Sequence, residues 1–171
     1  MNYFELFNLP AAFSVDLSAI SEHYRELQRT VHPDNFADAS ERERLLSVQK
    51  AAEINDAFQT LKDPILRAQY LLKLNGVELM GETQTIKDTS FLMQQMMLRE
   101  SLEEVEHASD PESAAMDFAD ELAGLTKALM QQMQQQLAEH QWQTAADSVR
   151  KLKFMKKLEE ELVQLEDKLL A

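Results

Sequence analysis

Cysteine is absent from this chain of 171 residues, which excludes disulfides and any thiolate metal or cluster site. A reducing cytoplasm is the expected home. Glycine occurs three times and proline four times, leaving little room for hairpin turns or a phosphate-cradling glycine loop. Helices are the natural alternative. No apolar run approaches the ~20 residues that span a bilayer. Positive charge is in the minority, since 17 Lys and Arg face 30 Asp and Glu for a net charge of −13. Such a chain repels phosphate backbones and anionic lipid surfaces, so neither nucleic acid nor membrane is an expected partner. The opening MNYFELFNLP lacks a basic segment followed by an apolar stretch and a small-residue cleavage site, and no export signal is expected.

With 44% hydrophobic residues the chain can bury a core, and the helical period shows where. Ile20, Tyr24, Leu27 and Val31 make one apolar stripe on a helix near 16–31, with Ser14 or Asp16 as cap. Leu45, Val48, Ala51, Ile54, Phe58 and Leu61 repeat the pattern on a second helix, closed by Asp63-Pro64. An antiparallel hairpin is predicted. Ile65 to Leu74 reads as a further helix stopped at Asn75-Gly76. The stretch 77–88 shows no period and is assigned as a linker between a domain over 1–76 and a second over 89–171. Charge supports the division: residues 1–76 carry 8 basic and 11 acidic side chains, net −3, whereas 77–171 carry 9 and 19, net −10.

Three helical segments are predicted in the second half, over 89–108, 112–139 and 142–170. Phe118, Leu122, Leu125, Leu129, Met133 and Leu137 stripe the middle one, and Val149, Leu152, Met155, Leu162, Leu165 and Leu169 the last. These close into a three-helix bundle, so the fold class is all-α throughout. In the first segment Phe91, Leu98, Leu102 and Val105 share the core face. Leu92, Met93, Met96 and Met97 fall largely opposite, followed along that face by Glu100, Glu103 and Glu104. An exposed stripe, apolar at one end and acidic at the other, marks a partner surface. The plain alternative is a central helix that is apolar all round. Phe154 lies far off its own helix's stripe, amid Arg150, Lys151, Lys153, Lys156 and Lys157, and is expected to be exposed.

Between the two N-terminal helices stands Val31-His32-Pro33-Asp34-Asn35-Phe36. Pro33 breaks the first helix and presents His32 and Asp34 on a loop. Taken alone, the tripeptide is an ordinary helix stop. Its surroundings are Tyr24-Arg25 and Gln28-Arg29 before it, then Glu53-Ile54-Asn55-Asp56-Ala57-Phe58, Leu61-Lys62-Asp63-Pro64 and Arg67-Ala68-Gln69-Tyr70 after it. This constellation, with Tyr3-Phe4-Glu5-Leu6-Phe7 as a short first helix, resembles the J domain of J-type co-chaperones over about residues 1–74. The resemblance implies a non-catalytic protein that stimulates an ATPase chaperone of the heat-shock class through His32, Pro33 and Asp34. Arg25 and Arg29 lie roughly 130 to 170° from the core stripe, on a solvent face suited to an acidic partner. Where that family often has an aromatic before the His and a base after the Asp, this chain has Val31 and Asn35.

A J domain followed by a linker and an acidic three-helix domain resembles the HscB family, the co-chaperones of bacterial iron-sulfur cluster assembly, over all 171 residues. That likeness implies two partners, an HscA-type ATPase chaperone and the cluster scaffold protein IscU. The family's scaffold-binding surface falls here on Leu92, Met93, Met96, Glu100, Glu104 and Phe154, with Met97 where relatives can carry an acid. No cofactor or metal is expected. His23, His32, His107 and His140 are scattered, and Glu103, Glu106 and His107 form no dedicated ligand motif. A general J-domain co-chaperone and a helical interaction scaffold are the remaining readings.

Overall fold

The computed structural model describes residues 1–79 and 88–171. The described residues are helical with connecting turns, and the chain divides into two compact units, Met1–Asn75 and Gly76–Ala171. Most of the expected linker, 80–87, lies outside the described residues.

In the N-terminal unit four helices follow one another: α1 over Tyr3–Leu6, α2 over Leu17–Thr30, α3 over Glu41–Lys62 and α4 over Pro64–Leu74. Each begins at a side-chain cap. Asn2 accepts from the Glu5 N–H at 2.8 Å, Asp16 from Ser18 at 2.9 Å, Ser40 from Glu43 at 3.2 Å and Asp63 from Ile65 at 2.9 Å. These carboxylate, amide and hydroxyl oxygens satisfy N–H groups that have no intrahelical partner. Between the two candidate caps of α2, the structure selects Asp16. Gly76, the residue after this unit, stands at φ 84, a left-handed conformation that glycine adopts without strain.

The hairpin of α2 and α3 is locked by Tyr24, whose ring stacks on Phe58 at 3.9 Å and whose hydroxyl donates to Asn55 at 2.6 Å. Arg67 ties α4 back to the loop before α2. Its guanidinium is buried, donates to the Phe13 and Leu61 carbonyls at 2.7 Å each, and lies over the Phe13 ring. Burial pushes this group below its ordinary arginine value, with Asp63 opposing the shift.

The expected core stripe of α3 holds for only part of its length. Ile54 and Leu61 are buried, yet Leu45 and Val48 are 58% and 62% exposed and Leu46 is exposed beside them. The helical period explains the difference. Six and nine residues before Ile54, Val48 and Leu45 stand about 120° and 180° around the helix from it. Ser47, seven residues before Ile54, keeps the core face and is buried.

The C-terminal unit consists of α5 over Thr89–His107, α6 over Pro111–Ala138 and α7 over Trp142–Leu170. Asp88 and Asp110 cap the first two. His140, at φ 59, turns the chain between α6 and α7, and the Gln141 N–H returns to the Gln136 carbonyl at 2.8 Å. The α5 core is built from Phe91, Leu98 and Val105 against Phe118 and Leu122 of α6 and Met155, Leu158 and Leu162 of α7. Polar pairs fix α5 along α7: Lys151 to Asp88 at 3.0 Å, Arg99 to Glu161 at 3.1 Å and Lys168 to Glu106 at 3.0 Å. Asp88 is held below the usual carboxylate range, first by the Lys151 hydrogen bond and then by the Phe91 N–H. Glu106 is lowered by Lys168.

Candidate functional site

Two candidate surfaces emerge, one on each unit. On the first, α2 ends at Thr30 because Pro33 cannot continue it, and Pro33–Phe36 form a single 3-10 turn instead of an open loop. His32 caps that turn. Its Nδ1 accepts the Asp34 N–H at 3.2 Å while the Asp34 carboxylate stands 3.6 Å from the same nitrogen. In that contact Nδ1 serves as the acceptor. The His32 side chain is 59% exposed and stands beside an Asp34 side chain that is 91% exposed.

Asn35 steadies this pair. Its Nδ2 donates to the Arg29 carbonyl at 2.6 Å, satisfying one orphan acceptor at the C-terminus of α2 and binding the turn to that helix. Sequence reasoning gave Asn35 no such part, because the bond spans six residues across a break in the helix. Arg25 and Arg29, four residues apart, are both exposed on α2. The stripe had assigned Leu45 and Val48 of α3 to the core; both are exposed, as is Leu46 beside them.

On the second unit, α5 turns Leu92, Met93, Met96 and Met97 to solvent. Glu100, Glu103 and Glu104 are exposed further along the same helix. The period of 3.6 makes this unavoidable once Phe91, Leu98 and Val105 face α6 and α7. The surface also has depth. A groove of about 700 Å³ runs between α5 and α6, with Met93, Met97, Glu100 and Glu104 on one wall and Leu125 and Leu129 on the other.

Phe154 departs from expectation. It is half-buried, meets Phe91 edge-on at 5.7 Å and lies beneath the Arg99 guanidinium at 5.5 Å. The ring does lie off the stripe of α7, but α5 packs over this flank of the helix and covers it. Phe154 thus joins the α5 core to the α5 surface. Lysines and arginines around it are partly engaged, Lys151 with Asp88 and Arg150 with Asp147. Burial, followed by the nearby Arg150, lowers Lys153 from its ordinary value.

Among the described residues no three His, Asp or Glu side chains come together to hold a metal, and no helix is long and apolar enough to cross a membrane. What the geometry offers is a hydrogen-bonded polar turn on one unit and an apolar-to-acidic helix face on the other.

The comparisons give this arrangement its class. Residues 2–70 match the DnaJ domain family, and residues 87–163 match the family described as the HSCB C-terminal oligomerisation domain. The chain is a J-domain co-chaperone. It is 55% identical over 171 residues to a co-chaperone protein HscB homolog of Aliivibrio salmonicida, covering 100% of both chains. Against the corresponding protein of Vibrio vulnificus it is 56% identical over 169 residues, 99% of each. The chain belongs to the HscB family. Its structure is similar to chaperone HscB from Vibrio cholerae, with a TM-score of 0.88 at 51% identity over 99% of both chains. Human HscB gives a TM-score of 0.89 at 28% identity, over 97% of this chain and 82% of that one. These relatives are co-chaperones rather than enzymes, and a J domain implies an ATPase chaperone of the heat-shock class as partner.

Proposed function

We propose that this chain stimulates ATP hydrolysis by an HscA-type chaperone in the cytoplasm and delivers to it an IscU-type scaffold protein, assisting the maturation of iron-sulfur proteins. The domains are taken as 1–76 for the chaperone and 89–171 for the client, with 77–88 as linker. His32, Pro33 and Asp34 make the chaperone contact, with Arg25 and Arg29 steering it toward an acidic surface. Leu92, Met93, Met96, Glu100, Glu104 and Phe154 hold the client.

The observation that carries this reading is the His32 to Asp34 cap. It presents an imidazole and a carboxylate together on one capped turn, with Asn35 tying that turn to α2. A contact prepared in this way loses little entropy on docking. On the client side, the exposed apolar residues of α5 provide anchors and the following glutamates provide charge that selects a partner.

The test is ATPase stimulation by purified components. The chain alone hydrolyses no ATP. His32→Gln or Asp34→Asn abolishes stimulation while helix content stays unchanged, and full stimulation by either variant would refute the assignment. Reversing Arg25 and Arg29 to Glu slows association, and the parent binds more weakly as salt screens the contact over about 10 Å at 0.1 M. Replacing Leu92 and Met96 with Ala lowers scaffold affinity about thirty-fold, with stimulation in the absence of client retained.

A further inference from the structure

Nine methionines stand in a chain without cysteine, so thioethers are its only sulfur groups open to oxidation. Their surroundings divide them. Met133 and Met155 are fully buried, whereas Met93, Met96 and Met97 are 60%, 66% and 65% exposed on neighbouring turns of α5. Exposure decides which thioether meets a dissolved oxidant first. Met1 and Met116 are also exposed, at 85% and 69%, but these three lie together on the apolar surface of α5, and Met93 and Met97 line the groove beside α6. We infer that Met93, Met96 and Met97 form an oxidation site at which peroxide converts the apolar client surface into a polar one and releases the client.

The inference rests on the proposed client surface. In the chemical step a thioether sulfur attacks one oxygen of hydrogen peroxide, the O–O bond breaks, and the departing hydroxide takes the proton from the oxygen now on sulfur and leaves as water. Sulfur is oxidised by two electrons and peroxide is reduced by two. The product sulfoxide carries a strong acceptor oxygen where an apolar partner atom would sit, and burying it unpaired opposes binding. Methionine sulfoxide reductases, drawing electrons from a dithiol, return the thioether and make the change reversible. Residues 1–75 hold only Met1, so the chaperone contact contains no comparable target.

Limited hydrogen peroxide followed by residue-resolved mass spectrometry tests the site directly. In the folded chain Met93, Met96 and Met97 gain oxygen well before Met133 and Met155. Scaffold affinity then falls by about tenfold or more, the effect of an unpaired polar group in an apolar contact. Stimulation of the ATPase without client is unchanged, and sulfoxide reductases restore binding. In a Met93→Leu, Met96→Leu, Met97→Leu variant, affinity is the same before and after peroxide, whereas a variant with Leu in place of the exposed Met116 loses affinity as the parent does. Equal oxidation of exposed and buried methionines, or unchanged affinity with all three oxidised, would overturn the inference. So would a peroxide-dependent loss that persists in the triple variant. Failure of the untreated chain to bind scaffold at all would refute the proposed client and the release drawn from it. The order of oxidation would still decide the modification site.

Discussion

Replacing Phe154 with Ala distinguishes a residue that only touches a partner from one that also holds the bundle together. Three interactions are lost. The edge-on contact with Phe91 at 5.7 Å contributes about 0.5 to 1.5 kcal/mol. The Arg99 guanidinium at 5.5 Å adds about 0.5 kcal/mol at a site that remains partly open to water. Half-burial of the ring adds roughly half of the 1.5 to 3 kcal/mol of a fully buried side chain. Since these contributions overlap, the expected loss is about 2 kcal/mol. For a unit spanning Gly76–Ala171, that lowers the melting temperature by about 8 to 16 °C. Calorimetry of the full chain measures it, and the transition of the C-terminal unit is the one that moves. Leu92→Ala, on the exposed face of α5, changes stability by less than about 0.5 kcal/mol. A Phe154→Ala protein that melts within about 2 °C of the parent would refute this packing role.

Arg67→Ala leaves the Phe13 and Leu61 carbonyls without their donor, and two charge-assisted hydrogen bonds in a buried setting predict a loss of about 3 kcal/mol or more. Urea unfolding followed by circular dichroism measures it, and a loss under about 1 kcal/mol contradicts the role. For pH, the folded-state values of Asp88 and Glu106 lie below their unfolded ones. Their contribution is therefore complete above about pH 5 and is lost as pH falls through the folded values. Asp88→Asn flattens the acid dependence of the melting temperature below about pH 4, and an unchanged slope excludes the Lys151 pair as its source.

The helices were legible because composition and period agree over long segments. Few glycines and prolines leave α5, α6 and α7 uninterrupted, and Asp63-Pro64 and Asp110-Pro111 mark helix starts by cap and fixed φ together. The outward face of α5 was legible for the same reason, since Phe91, Leu98 and Val105 leave Met93 and Met96 nowhere but solvent. The apolar series on α3 was read at steps of three, which drift around the helix until Val48 and Leu45 stand about 120° and 180° from Ile54, while the polar Ser47 takes the buried place. What a helical wheel lacks is the neighbour. It assigns Phe154 to solvent because the ring lies off its own stripe, without knowing that α5 packs there. Asn35 escaped for a related reason: its partner is a backbone carbonyl, and no residue type in the sequence advertises which carbonyl at a helix end needs a donor.

The two candidate surfaces differ in how they are tolerated by the fold, and that difference makes their functions separable. At the turn, the groups offered to a partner are polar, exposed and already hydrogen-bonded within the turn, so removing a side chain there exposes no core. On α5 the offered groups are apolar and need a reason not to collapse inward. The opposite face supplies it, since Phe91, Leu98 and Val105 already fill the core and the pairs Lys151 to Asp88, Arg99 to Glu161 and Lys168 to Glu106 fix the helix's rotation. Rotating α5 to bury its methionines would break all three pairs and expose that core. The methionines are therefore held outward by the rest of the helix. It follows that Arg99→Ala, which removes the ion pair with Glu161 and the guanidinium over Phe154, loosens the orientation of the proposed client surface without touching the turn around His32.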